Sequence, residues 1–176
     1  MVNKFRVEAK EKTFCGIDPG KSGAIVILNA NQEIIFKSVM PVLKSKKSKP
    51  EYDIQSIIKI FRDIQPTFNY VEKAMLIPVS GKSAYYGNGF INGGLQFMLA
   101  TLNLKYDIIS PKRWQRNTFE GMPKADTKQS SILYAKRMQP KIDWRATERC
   151  KKDHDGLTDA YCLAVYCWKC NKDGER

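Results

Sequence analysis

Three short apolar runs, each closed by turn residues, fill positions 14 to 39. Phe14 to Ile17 is stopped by Asp18-Pro19-Gly20, Ala24 to Leu28 ends at Asn29-Ala30-Asn31, and Glu33 to Val39 makes the third. Runs of this kind predict a three-stranded antiparallel meander. Helical and extended signals then alternate. Asp53 is a capping residue ahead of Ile54, Ile57, Ile58 and Phe61, a helical spacing that Pro66 ends. Tyr70-Val71 reads as a short strand delivering Glu72, and residues 78–89 as a loop. Phe90 to Leu102 reads as a helix despite Gly93-Gly94, which weaken it unless something packs closely there. Tyr106 to Ile109 is a strand, and Pro111 opens a helical segment through Trp114. Asp126 caps a helix with Ile132, Leu133, Ala135 and Met138 on its apolar side. Residues 140–153 are irregular, and the last helix runs from Asp155 to about Trp168. This order predicts an α/β fold: a five-stranded mixed sheet, three antiparallel then two parallel strands, with helices on both faces. One domain is expected over 13–170, with a loose arm at 1–12, a polar tail at 171–176, and no internal repeat.

Composition narrows the function. The 176 residues carry 30 Lys+Arg against 18 Asp+Glu, a formal net charge of +12. Such an excess points to a polyanion, and nucleic acid is the expected one. No apolar run approaches the roughly 20 residues of a membrane span. The start, Met1 to Arg6, lacks an apolar core, so no signal peptide is expected. Five cysteines, odd in number and clustered late, do not match a secreted disulfide scaffold. Reduced thiols in an intracellular compartment are expected, with no membrane and no small-molecule cofactor.

Four carboxylates stand in an informative order: Asp18 after the first strand, Glu72 after a later one, Asp155 and Asp159 four apart on the last helix. Positions i and i+4 share a helix face, so the late pair can address one point. Like charges so close repel, and a divalent cation removes that penalty. Hard oxygen donors favour Mg²⁺, with Mn²⁺ able to substitute. Carboxylates holding such ions serve phosphodiester cleavage. Taken singly, Asp18 before Pro-Gly is also an ordinary turn residue, Glu72 a strand-end carboxylate, and Asp155 a charge that suits a helix N-terminus. Asp159 is different, because it interrupts an apolar helix where an uncompensated carboxylate is costly. His154, the single histidine, can assist proton transfer at that site or sit exposed in a loop. A competing set, Cys150, His154, Cys167 and Cys170, would make a structural zinc site, though its spacing matches no known finger.

Basic and aromatic residues outline a DNA surface. Lys44, Lys46, Lys47 and Lys49 form a basic loop suited to clamp a backbone. Lys112, Lys124 and Lys128 are phosphate ligands or a solvated basic face. Tyr85 and Tyr86 stack on unpaired bases or simply lie in a loop.

The chain resembles the RuvC-like Holliday junction resolvases of the RNase H-like superfamily. It is most similar to the phage and bacterial branch that includes the plant chloroplast resolvase. The resemblance rests on G-I-D-P-G-K-S-G-A (16–24), M-P (40–41), V-E-K (71–73), S-P-K-R-W (110–114) and H-D-G-L-T-D-A-Y-C-L-A (154–164). It implies an RNase H-like domain acting as a homodimer, which binds a four-way junction and nicks two strands symmetrically. It also implies two Mg²⁺ per active site, Asp18 bridging them, Glu72 holding one and Asp155/Asp159 the other, and products with 5′-phosphate and 3′-hydroxyl ends. Lys128-Gln129 resembles the family's Lys-Gln pair. Three positions depart from the better-known bacterial pattern: the late acids are four apart rather than three, Thr158 stands where Ala is usual, and Gln115 follows Trp114 where Lys is common. Action on flaps, forks or RNA/DNA hybrids, or branched-DNA binding without catalysis, are the alternatives. Two symmetric cuts require two related sites, so a two-fold dimer is expected. Gly93-Gly94, with Phe90, Phe97 and Leu102, either form its interface or pack on the chain's own sheet.

Overall fold

The computed structural model describes residues 11–43, 50–74, 81–122 and 127–173, with the side chains of 82–84 and 127–128 excepted. Lys44, Lys46, Lys47, Lys49, Lys124 and the capping Asp126 lie outside the described residues, as does the Lys128 side chain.

The meander forms as expected, from β1 (Phe14–Asp18), β2 (Ala24–Leu28) and β3 (Ile34–Val39). Every residue of β2 is buried, because helices cover both faces of the sheet centre. A two-stranded ribbon follows, β4 (Val42–Leu43) with β5 (Glu51–Tyr52), so short strands flank the basic segment. Helix α1 (Ile54–Ile64) starts at Asp53, whose carboxylate accepts from the Ser56 amide at 3.1 Å. It ends at Gln65 in the left-handed region (φ 50°), directly before Pro66.

Strand β6 (Phe68–Glu72) returns parallel to β1, and β7 (Lys105–Ile109) parallel to β6. The sheet order is β3-β2-β1-β6-β7, the predicted mixed sheet of three antiparallel and two added parallel strands. Side chains alternate between two cores. Cys15, Ile17, Ile25, Ile27 and Val71 face α1 and α2; Phe14, Val26, Leu28 and Tyr70 face α5.

Helix α2 (Lys82–Thr101) begins eight residues before the expected Phe90, so Tyr85 and Tyr86 are helical rather than in a loop. Ile91, Leu95 and Leu99 bury one stripe of it. Once such a stripe is anchored, each residue added to the N-terminal end gains a hydrogen bond. Tyr86 and Phe90, four apart, add a stacked ring pair at 6.2 Å. These gains outweigh the helix cost of Gly87 and Gly89, about 1 kcal/mol each.

Helix α3 (Pro111–Thr118) runs one turn past the expected Trp114. Helix α4 (Thr127–Met138) buries only part of the predicted side: Ala135 is buried as expected, together with Ser130 and Ser131, whereas Leu133 and Met138 are exposed. Small residues there let α4 lie close to α5, with the Cys162 thiol 3.9 Å from the Ser131 carbonyl. Residues 139–153 are irregular, as expected, with Trp144 buried among them.

Helix α5 (Asp155–Asn171) is buried on nearly all sides and crosses β1 and β2. It continues past Trp168 to Asn171, whose side-chain amide donates to the Tyr70 hydroxyl at 3.2 Å. Among the described residues, no helix is long and apolar enough to cross a membrane.

Candidate active site

Asp18 and Glu72 end neighbouring parallel strands, one step beyond the Ile17–Val71 pair. Alternation puts Asp18 on the side of Phe14, and Glu72 on the side of Tyr70, which is the α5 side for both. The carboxyl ends of parallel strands are where open α/β sheets hold ligands.

Glycines let α5 reach that end. A Cβ on Gly16 would stand 2.1 Å from the Ala160 carbonyl oxygen and 2.4 Å from the Ala164 nitrogen. A Cβ on Gly156 would meet the Ser22 carbonyl oxygen at 2.3 Å. The start of α5 therefore rests on the turn after Asp18, and Asp159 lies between those two contacts. Gly23 leaves no room either, since its Cβ would lie 2.2 Å from the Asp18 carbonyl oxygen. Gly23 and Gly156 thus leave room for the protein's own chain.

The Asp18 turn is further tied down. Asp18 Oδ1 accepts from the Gly20 amide at 3.2 Å, and the Gly23 amide donates to the Gly20 carbonyl at 2.8 Å. The Tyr52 hydroxyl donates to the Pro19 carbonyl at 3.2 Å. Lys21 bonds the Pro50 carbonyl and lies over the Tyr52 ring, 5.4 Å from its centre. The β4–β5 ribbon is thus stapled to the loop that carries Asp18. Tyr52 and Lys21 did not stand out in the sequence, because nothing local marks contacts across thirty residues.

Glu72 shows that three of the acids share one electrostatic environment. Its carboxyl is pushed up to about 7, first by burial and then by the charges of Asp18 and Asp159; a hydrogen bond from Trp114 works in the opposite direction. That bond runs from the indole nitrogen to Glu72 Oε2 at 2.7 Å. Trp114 is the neighbour of Glu72 that the sequence did not single out. Its only signal was membership in S-P-K-R-W.

The consequence for stability has a definite sign. A carboxyl whose folded pKa lies above its ordinary 4.5 binds more protons folded than unfolded. Stability from Glu72 is therefore full below about 4.5 and is lost as pH rises to about 7. In metal-free protein, thermal unfolding from pH 4.5 to 7 is expected to fall more steeply for wild type than for Glu72→Gln. Adding Mg²⁺ is expected to remove the difference. Equal slopes in the two proteins would mean Glu72 ionises normally.

Asp155 is the first residue of α5, half-buried, with Oδ1 accepting from the Gly156 amide at 3.1 Å. His154 caps the same helix: its Nδ1 accepts from the Leu157 amide at 3.2 Å. In the neutral ring this assigns the proton to Nε2. His154 is thus a helix-cap residue by its contacts, beside the acids. Among the described residues, no three His, Cys, Asp or Glu side chains stand close enough together to hold an ion as placed. The zinc set is not gathered: Cys167 is buried and Cys170 exposed on α5, with Cys150 and His154 before the helix. All five cysteines are free thiols. The carboxylates still suit Mg²⁺ by chemistry. They are hard oxygen donors at one sheet end, and Glu72 registers the charges of Asp18 and Asp159.

The described residues predicted to face DNA fall in two places. Lys112 is exposed at the start of α3. Tyr86 is exposed and Tyr85 half-buried on α2. Lys21, Tyr52, Tyr86 and Phe90 line one pocket of about 400 Å³ beside the Asp18 turn. Elsewhere on α2, Phe90 and Phe97 are 50% and 77% exposed. Leu102 is half-buried. A Cβ on Gly93 or Gly94 would meet nothing within 4 Å, so these glycines do not pack on the chain's own sheet. Gly94, Phe90 and Phe97 line an apolar groove of about 350 Å³ between α1 and α2.

No known family profile and no curated protein matches the sequence. Solved structures do. A Thermus thermophilus RuvC in complex with a Holliday junction substrate superposes with TM-score 0.59 at 12% identity, covering 88% of this chain and 90% of that one. The yeast mitochondrial Holliday junction resolvase Ydc2 gives TM-score 0.55 at 15% identity, over 90% of this chain and 79% of that one. The fowlpox virus resolvase, solved with its Holliday junction DNA, gives 0.52 at 13% identity, over 90% and 97%. The chain shares the fold of these solved structures, a mixed five-stranded sheet with its helices.

Proposed function

We propose that this protein is a metal-dependent endonuclease that resolves four-way DNA junctions by paired symmetric nicks. The observation that carries the reading is the coupling of Glu72 to Asp18 and Asp159 at the carboxyl end of adjacent strands. A net charge of +12 and a fold shared with proteins solved on Holliday junctions support it.

Asp18, Glu72, Asp155 and Asp159 would hold two Mg²⁺ ions. Bound there, Mg²⁺ would supply Lewis acidity and lower the pKa of water enough to attack a phosphodiester at neutral pH. The protein's own part is to keep Asp18 fixed by the Gly20 and Tyr52–Pro19 contacts and to place Asp159 on a helix seated close against β1. Glu72 must release its proton to serve, so activity should rise through neutral pH. The products are 5′-phosphate and 3′-hydroxyl ends. Lys44, Lys46, Lys47, Lys49, Lys112, Lys124 and Lys128 are assigned to phosphates, and Tyr85 and Tyr86 to bases freed at the junction centre. The pocket that Tyr86 shares with Lys21 and Tyr52 supports that assignment.

The test is cleavage of mobile and fixed four-way junctions, flaps, forks and RNA/DNA hybrids with Mg²⁺ or Mn²⁺. Paired nicks confined to the four-way substrates are expected. Preferential cutting of hybrids or flaps would reassign the substrate, and junction binding without cleavage would make the protein a binding module.

A homodimer follows from the paired nicks, and the open groove along Gly94 supports α2 as its interface. Gly94→Leu is expected to convert a sedimenting dimer to monomer and to abolish paired nicking, with the far-UV signal kept. A surviving dimer would move the interface elsewhere.

A further inference from the structure

We propose that Trp114 is a positioning residue for the nuclease site, its indole N–H holding the Glu72 carboxylate in a single orientation. The proposal rests on the nuclease reading above and deepens it.

Chain connectivity explains how the indole arrives there. Glu72 pairs with Ile109 at the end of β7, and the Lys73 amide donates to the Ile109 carbonyl at 2.8 Å. The chain then turns at Ser110-Pro111 into α3, whose first turn places Trp114 over the end of β6. Trp114 is 1% exposed. Its ring meets Phe119 edge-on at 5.6 Å, Phe119 meets Tyr134 at 6.2 Å, and Tyr134 meets Tyr161 of α5 at 6.4 Å. The Arg113 side chain fastens α3 to α5 through the Tyr166 hydroxyl at 3.0 Å. The donor is therefore mounted on a ring that cannot swing.

Indole nitrogen only donates. It takes one lone pair of Glu72 Oε2 at 2.7 Å and fixes the direction in which the carboxylate's remaining lone pairs point. A carboxylate facing two like charges would otherwise turn away from them. The rigid donor opposes that rotation, so it acts on cation affinity without touching DNA. Outer hydrogen-bond partners of ligating groups typically matter ten- to a hundredfold for affinity or activity.

Trp114→Phe keeps a ring and removes the donor; Phe119→Leu loosens the same packing and keeps the donor. Calorimetry with Mn²⁺ alone, junction binding in chelator, and junction cleavage against metal concentration would be compared. Trp114→Phe is expected to weaken Mn²⁺ binding and raise the half-maximal metal concentration by about ten- to a hundredfold. Its junction affinity in chelator should stay unchanged. Phe119→Leu should lower the unfolding temperature while moving the metal dependence far less than Trp114→Phe does. Wild-type Mn²⁺ affinity in Trp114→Phe, or an equal shift in Phe119→Leu, overturns the proposal. Should Trp114→Phe fail to fold, the wild-type protein answers with its ¹⁵N-labelled indoles. Mg²⁺ must shift the Trp114 N–H resonance more than those of Trp144 and Trp168, and an unmoved Trp114 signal overturns the proposal equally. A wild-type protein that neither binds Mn²⁺ nor cleaves any junction would instead bring down the nuclease reading itself.

Discussion

Asp18→Asn is expected to abolish junction cleavage while leaving junction binding intact or tighter. The substitution keeps the shape of the side chain, and its Oδ1 can still accept the Gly20 amide bond. What it removes is one anion from a site where Glu72 already registers the charges of Asp18 and Asp159. Metal catalysis of this type supplies several kcal/mol, and each 1.4 kcal/mol is tenfold in rate, so a loss on the order of a thousandfold is expected. Binding should not suffer, because phosphates are repelled by the charge that is lost. Single-turnover cleavage of a radiolabelled junction with Mg²⁺, beside a binding assay in chelator, separates the two effects. A variant cutting at the wild-type rate would remove Asp18 from the ligand set. Asp18→Asn should also lower the Glu72 pKa, since a neighbouring charge that raises it is gone.

Gly16→Ala is the substitution with the largest expected effect on stability. One methyl group would be forced to 2.1 Å from the Ala160 carbonyl oxygen and 2.4 Å from the Ala164 nitrogen. Both are backbone atoms of a helix packed on the other side by α3 and α4, so neither neighbour can give way cheaply. Overpacking ordinarily costs 1–3 kcal/mol; a backbone collision should reach about 3 kcal/mol or more. In a domain of this size that is a fall of roughly 6–12 °C in unfolding temperature. Gly89→Ala on α2, where a Cβ meets nothing within 4 Å, should gain about 0.5–1 kcal/mol by the same measurement. A Gly16→Ala protein that melts with wild type would mean that α5 does not lie as close to β1 as the glycine allows.

The fold was open to reading wherever burial and chain period agree. The first two apolar runs are buried strands as written, and Asp53, Pro66 and Pro111 mark helix ends by local chemistry alone. The readings that moved are those decided by packing partners. Gly87 and Gly89 argue locally for a loop, yet the buried Ile91–Leu95–Leu99 stripe carries the helix back through them. On α4, Leu133 and Met138 argue for one face, but closeness to α5 keeps only Ala135 of it buried and adds the small Ser130 and Ser131.

The amino-acid order by itself determined the sheet, the acids at the ends of β1 and β6, and the anomaly of Asp159 inside an apolar helix. Each of these is carried by neighbours within a turn or a strand, so periodicity and the cost of a buried charge reveal it. Tertiary structure alone decided the rest. The Trp114 bond to Glu72, the Tyr52 bond to Pro19 and the glycine contacts that seat α5 join residues 33 to 148 positions apart. No local pattern encodes which donor reaches which acceptor over such separations. That is fixed only when the parallel β1–β6–β7 pairing and the burial of α5 set strands and helices at close range.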